Sequence, residues 1–205
     1  MSVLLDLIGS TVISAFVILM GLNINMSVMG NADASQANLN VQESMVDIVR
    51  TLEYDFRKIG YGVPETQTPI VDTGATYIKF RADIVDASGN PYPDGTIDVI
   101  EWQLGPAMTW MPNPKVRTLY RRVNGGPWSG ASLGVVNFRL KYLNQDGQPP
   151  SSIGSIYIIE TTLELQSPYK VQDQVITDQS YDKMGYADAF WRQTRLASRN
   201  IKRHG

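Results

Sequence analysis

The chain contains no cysteine and a single histidine, His204, next to its end. Disulfides, thiolate metal sites and cysteine nucleophiles are therefore excluded. A Ser-His-Asp triad or a histidine-rich zinc site has almost no material, because terminal residues are usually poorly ordered. No Lys or Arg occurs before Arg50, and no proline before Pro64. The missing early basic residues remove the n-region of a secretory signal, and no convincing small-x-small cleavage site follows the apolar run. They also leave the positive-inside rule nothing with which to orient a membrane helix. The formal net charge of −2 argues against a protein that holds nucleic acid by its phosphates. No GxGxxG, P-loop or HExxH pattern is present.

What the chain does have is an apolar stretch almost at its start. From Leu7 to Ala32 there is no charged residue, and the strongly apolar part runs to about Leu22. A helix of about 20 such residues spans the hydrocarbon of a bilayer. A cleaved signal and a buried core helix are the competing readings; a retained membrane helix is the one adopted. Beyond Asn25 the sequence becomes small and polar, then a helical pattern resumes. Val41, Met45, Ile48, Leu52, Phe56 and Ile59 are spaced to form one apolar stripe. Gly60, Gly62 and Pro64 form a stop signal. With no proline before it, the helix can run unbroken for about 80 Å. Its second half should lay the stripe on a folded domain.

After Pro64 the period changes to two. Strands are expected at 77–81, 96–104, 115–123, 135–143 and 155–165, with a last one at 189–201. Turn chemistry separates them at Ser88-Gly89-Asn90-Pro91, Pro93-Asp94-Gly95, Asn124-Gly125-Gly126-Pro127 and Gln145-Asp146-Gly147. Residues 166–185 read as a long loop. The expectation is an α+β fold: a long N-terminal helix, transmembrane and then amphipathic, packed on an antiparallel sheet of roughly five to seven strands. Three parts follow: 1–30 in the membrane, 31–62 as the amphipathic half, and 63–205 as a β-rich globular domain.

This arrangement resembles the plan of type IV pilins and type II secretion pseudopilins. Leu52-Glu53-Tyr54-Asp55-Phe56-Arg57-Lys58-Ile59-Gly60-Tyr61 is similar to the end of the long helix in PilW-type minor pilins and J-type minor pseudopilins. Ile78 to Asp83, Asp98 to Trp102, Thr118 to Arg122, Gly134 to Tyr142 and the closing Arg199-Asn200 resemble further pieces of those families, in a similar order. The resemblance implies a non-enzymatic structural subunit that assembles with other pilin-like subunits through its N-terminal helix. Its location would be the bacterial inner membrane, as a single-pass protein with its globular domain periplasmic or extracellular. Prepilins carry a basic leader; the expectation here is a chain that starts at Met1 without one. Mature pilins usually have glutamate as fifth residue; removal of Met1 would put Asp6 there. Asp6, with Leu4, Leu7, Ile13 and Phe16, is the expected subunit-pairing set. The alternative for Asp6 is an interfacial acid at a helix start. Close packing in lipid would also use Gly9, Ser10, Ser14, Ala15 and Gly21.

Several other groups admit two readings. Asp55 and Arg57 suit helix caps or salt bridges to the sheet. Lys115, Arg117 and Arg121 alternate onto one face, expected to be solvated, or to meet acidic partners. Asp83, Asp86, Asn90 and Asp94 surround a loop that could hold calcium, although the spacing is not that of an EF-hand; an Asx-rich turn is the default, and no cofactor is required. Trp102, Trp110, Trp128 and Trp191 are expected as core or interface anchors. Glu101, Glu160 and Glu164 lie in strands, and nothing fixes them as a two-carboxylate hydrolase pair. Neither nucleic acid nor an enzyme's substrate is an expected partner. A single-pass anchored envelope protein that presents a β-domain without polymerising is the other reading of the chain.

Overall fold

The computed structural model describes residues 2–86, 88–172, 184–196 and 200–201. Met1, Arg199 and His204, and residues 173–183 of the expected long loop, lie outside the described residues. One helix, α1 (Ser2–Arg57), runs its whole length without interruption. At 1.5 Å per residue it is about 84 Å long. It ends where Lys58 N and Ile59 N tighten onto the Asp55 and Phe56 carbonyls. Gly60 then takes φ +80°, which a side chain resists, and a Cβ there would crowd Pro69 and the backbone of Asn200 at 3.2–3.3 Å.

Seven strands form one antiparallel sheet in the order β1 (Ile70–Gly74), β2 (Tyr77–Ala82), β3 (Asp98–Leu104), β4 (Arg117–Val123), β5 (Ser129–Leu143), β6 (Ile158–Gln166) and β9 (Asp188–Leu196). A separate two-residue pairing joins β7 (Val171–Gln172) and β8 (Met184–Gly185). Each strand of the large sheet is hydrogen-bonded to the one before it in that order, so the sheet is a meander. A long apolar N-terminal helix on an antiparallel sheet is an α+β arrangement.

The register explains the core. Ile78 opposes Trp102 and Phe80 opposes Ile100, while Leu163 lies between Phe138 and Trp191. These alternate residues make one apolar sheet face. Against it α1 buries Val41, Met45, Ile48, Leu52, Phe56 and, just past its end, Ile59. Phe56 meets Phe80 edge to face, with ring centroids 5.9 Å apart. Burying a side chain of this size contributes about 1.5–3 kcal/mol. This half of α1 is therefore part of the core.

Several local expectations are corrected. β1 precedes the first expected strand at 77–81 and pairs with it. β5 begins at Ser129, six residues before the expected 135. Its early part is small and polar, and it keeps its pairing through irregularities beside Arg117 and Leu119. Gly134, at φ +106°, sits where a Cβ would lie 2.8 Å from the Gln166 carbonyl oxygen. The last strand ends at Leu196 rather than Ile201, which lies buried in a short turn.

Candidate functional site

α1 carries two surfaces of opposite character. Leu7, Ile13 and Phe16 are 62%, 66% and 60% exposed, and exposed apolar residues continue to Met29. They surround the helix rather than forming a stripe, and none of the described residues of the domain covers them. α1 is the one helix among the described residues long and apolar enough to cross a membrane. A helix apolar all round either sits in a core or spans a bilayer. Three of its hydroxyls are satisfied locally: the Ser10 hydroxyl donates to the Leu7 carbonyl at 3.0 Å, and Ser14 to Ser10 at 2.7 Å. Thr11 donates to the Leu7 and Ile8 carbonyls at 3.0 and 2.8 Å. Hydroxyls bonded back onto their own helix suit a medium without water. Asp6 is exposed one turn into the helix, beside Leu7. The side chain of Leu4 lies outside the described residues.

The other end of α1 is held by a buried charge. Asp55 is completely buried, and its carboxylate accepts from Arg121 Nε at 2.7 Å, Arg121 Nη2 at 3.1 Å and Trp102 Nε1 at 2.8 Å. Burial raises the Asp55 pKa above the ordinary carboxylate value, against the opposing pull of Arg121 and the Trp102 hydrogen bond. Arg121 therefore faces the helix, which corrects the expectation of a solvated basic face on β4. Arg57 pairs with Glu53 along α1 at 3.0 Å. Tyr54 donates from its hydroxyl to the Pro91 carbonyl at 2.9 Å, fastening the loop after β2 to the same helical turn.

The opposite face of the sheet carries a second ionic group. Glu101 is buried, with Arg122 Nη2 at 2.7 Å and Lys79 Nζ at 3.6 Å. The Tyr77 hydroxyl donates to it at 3.1 Å. Burial alone would raise Glu101, but the hydrogen bonds of Arg122 and Tyr77 and the nearby cations outweigh it, so its pKa is lowered. Burial and the bond to that carboxylate push Tyr77 up to about 12. The Arg122 guanidinium stacks 4.2 Å above the Trp128 ring. Glu101 is thus committed to cations, and Glu160 faces Lys141 at 3.4 Å.

The acids around 83–95 serve the backbone. Asp83 accepts from the Asp94 and Gly95 amides, Asp98 from those of Ile84 and Val85, and Asp86 from those of Ser88 and Asn90. This is an Asx-type turn network. Among the described residues, no group of three or more His, Cys, Asp or Glu side chains converges to hold a metal ion. Trp102 is in the core and Trp191 packs partly against it, whereas Trp110 is 75% exposed at the tip of the β3–β4 connection. Trp110, expected as a core or interface anchor, is therefore not in the core, because it lies outside any strand. No family model, curated protein or solved structure matches this chain.

Proposed function

We propose that this chain is a pilin-like structural subunit, resembling minor pilins and minor pseudopilins, that assembles through the apolar half of α1. That half would sit in a bacterial inner membrane and bundle with helices of other pilin-like subunits in a filament or secretion-system tip complex. The sheet domain would be periplasmic or extracellular and would determine lateral contacts. The observation that carries this reading is the division of α1. Its first half is apolar and exposed on all sides, and its second half is sunk into the sheet. A helix with no break between the two halves couples the position of the domain to the packing of the apolar half. In lipid that packing depends on close contact and on small residues such as Gly9 and Gly21, around whose Cα atoms there is open space.

A second reading is a single-pass anchor that never polymerises and presents a binding face. It is favoured by the uncovered outer side of the sheet, where Phe190 is exposed and Arg122 stacks on Trp128. A photo-crosslinking residue in place of Phe16, in native membranes, separates the two. Crosslinks to the N-terminal helices of other pilin-like chains are expected. Adducts to lipid alone would reject the assembling subunit in favour of the anchor.

A further inference from the structure

Two connections leave the sheet at the same end. Residues 105–116 follow β3 beyond Leu104, which pairs with Leu119, and residues 167–170 follow β6 beyond Leu165, which pairs with Ala189. Asn113 welds them together. It is fully buried; its amide N–H donates to the Pro168 carbonyl at 3.1 Å, and its side-chain amide donates to Gln166 Oε1 at 3.2 Å and the Ser167 carbonyl at 3.1 Å. The Tyr186 hydroxyl adds a bond of 2.7 Å to the Pro112 carbonyl. The result is a braced rim, not a pair of loose loops. This rim holds Trp110 75% and Tyr169 62% exposed, with Lys170 exposed next to Tyr169 and Lys115 exposed five residues after Trp110.

The rim lies where α1 departs toward its apolar half. Tyr169, Pro168 and Leu165 line a groove of about 450 Å³ that runs along α1 from Asp33 to Ser44. Asp33 is the first charge after the apolar half, and it follows Met29, the last exposed apolar residue of that half, by four residues. Four residues are about 6 Å of helix. The polar layer of a bilayer is about 5–8 Å thick on each side. A helix that exits the hydrocarbon at Met29 therefore brings the membrane-side end of this groove, at Asp33, to headgroup level. Trp and Tyr are the side chains that settle there, with an apolar ring below and a polar edge in the wet layer. Lysines on the same rim match anionic headgroups, and Asp33 is the one acid lining the groove.

We propose that this rim, through Trp110, Tyr169, Lys115 and Lys170, rests on anionic phospholipid headgroups and so fixes the domain at a set height and tilt on the membrane. The inference rests on the membrane placement of α1 proposed above and adds a second contact with the same bilayer.

The test uses the full chain in two-to-one phosphatidylcholine–phosphatidylglycerol vesicles. A Phe16→Cys variant first reports on α1, since the natural chain has no other thiol. Protection of that thiol from a membrane-impermeant maleimide is expected; full labelling would overturn the membrane placement and the rim contact together. The emission of Trp110 is then isolated as the difference between the natural chain and Trp110→Phe. Lipids brominated near the headgroup should quench that component, since interfacial Trp rings sit at that level. Pure phosphatidylcholine should weaken the effect, and Lys115→Gln with Lys170→Gln should abolish its dependence on phosphatidylglycerol. A protected thiol with an unquenched, water-exposed Trp110 would overturn the rim contact while leaving α1 in the membrane. Quenching that ignores both phosphatidylglycerol and the two lysines would overturn the choice of anionic lipid.

Discussion

Asp55→Ala tests the join between helix and sheet. The substitution removes the acceptor of three hydrogen bonds: two from Arg121, at 2.7 and 3.1 Å, and one from Trp102 at 2.8 Å. Asp55 and Trp102 are wholly buried, while the Arg121 side chain keeps 21% of its surface in water. Removing one member of a buried ion pair typically costs about 3–5 kcal/mol, because the other charge is stranded. The partial exposure of Arg121 softens that penalty, so the lower end, about 3 kcal/mol, is expected. In urea, with slopes of about 1–3 kcal/mol/M, the unfolding midpoint should fall by roughly 1–3 M. Tryptophan fluorescence, to which the buried Trp102 contributes, follows the transition.

The companion variant is Asp55→Leu with Arg121→Met, which removes both charges and keeps the volume. It should lie within about 1 kcal/mol of the natural protein or above it, since desolvation weighs heavily on buried pairs. The pH dependence follows from the raised pKa of Asp55. A carboxyl that binds its proton more tightly when folded contributes stability fully below the unfolded value of 3.8, and loses that contribution as pH rises through the raised one. The natural protein should therefore gain relative to the double variant on acidification. If Asp55→Ala lost less than about 1 kcal/mol, the range of an exposed pair, the buried join would be refuted.

Two further outcomes concern the rest of the fold. Glu101→Gln should destabilise the domain above the ordinary glutamate pKa of 4.5, and the gap to the natural protein should close as pH falls through the lowered pKa of Glu101. Urea midpoints of both proteins at neutral and acid pH measure this, and a pH-independent gap would reject it. Leu52→Ala, at a fully buried position, should cost about 2–5 kcal/mol. Val46→Ala, 54% exposed on another side of α1, should change stability by no more than about 0.5 kcal/mol. Equal losses at the two positions would mean that the stripe does not face the sheet.

The features legible in the sequence are the repetitive ones. The absence of proline before Pro64 and the charge-free stretch through Ala32 determine a long helix that begins apolar. The spacing from Val41 to Ile59 determines which side of it is buried, since a 3.6-residue period can present those six positions only together. Alternation likewise places the central parts of β2, β3 and β6. What alternation could not settle was which way β4 faces. Lys115, Arg117 and Arg121 looked solvated because charge normally faces water. Arg121 instead turns inward, because Asp55, far away in sequence, supplies its counter-charge. The same limit applies to the early part of β5, whose small and polar residues have little strand preference of their own, and to β1, whose strand-forming Ile70 and Val71 are too short an apolar run to mark a strand alone. They are strands because neighbouring backbones present hydrogen-bond partners there. Trp110 and Tyr169 come onto one rim only through Asn113, whose donors meet a segment more than fifty residues away. Local pattern determines an element's existence and its apolar side. Pairing of buried charges and satisfaction of buried amides are decided between distant segments, so only the tertiary structure could decide them.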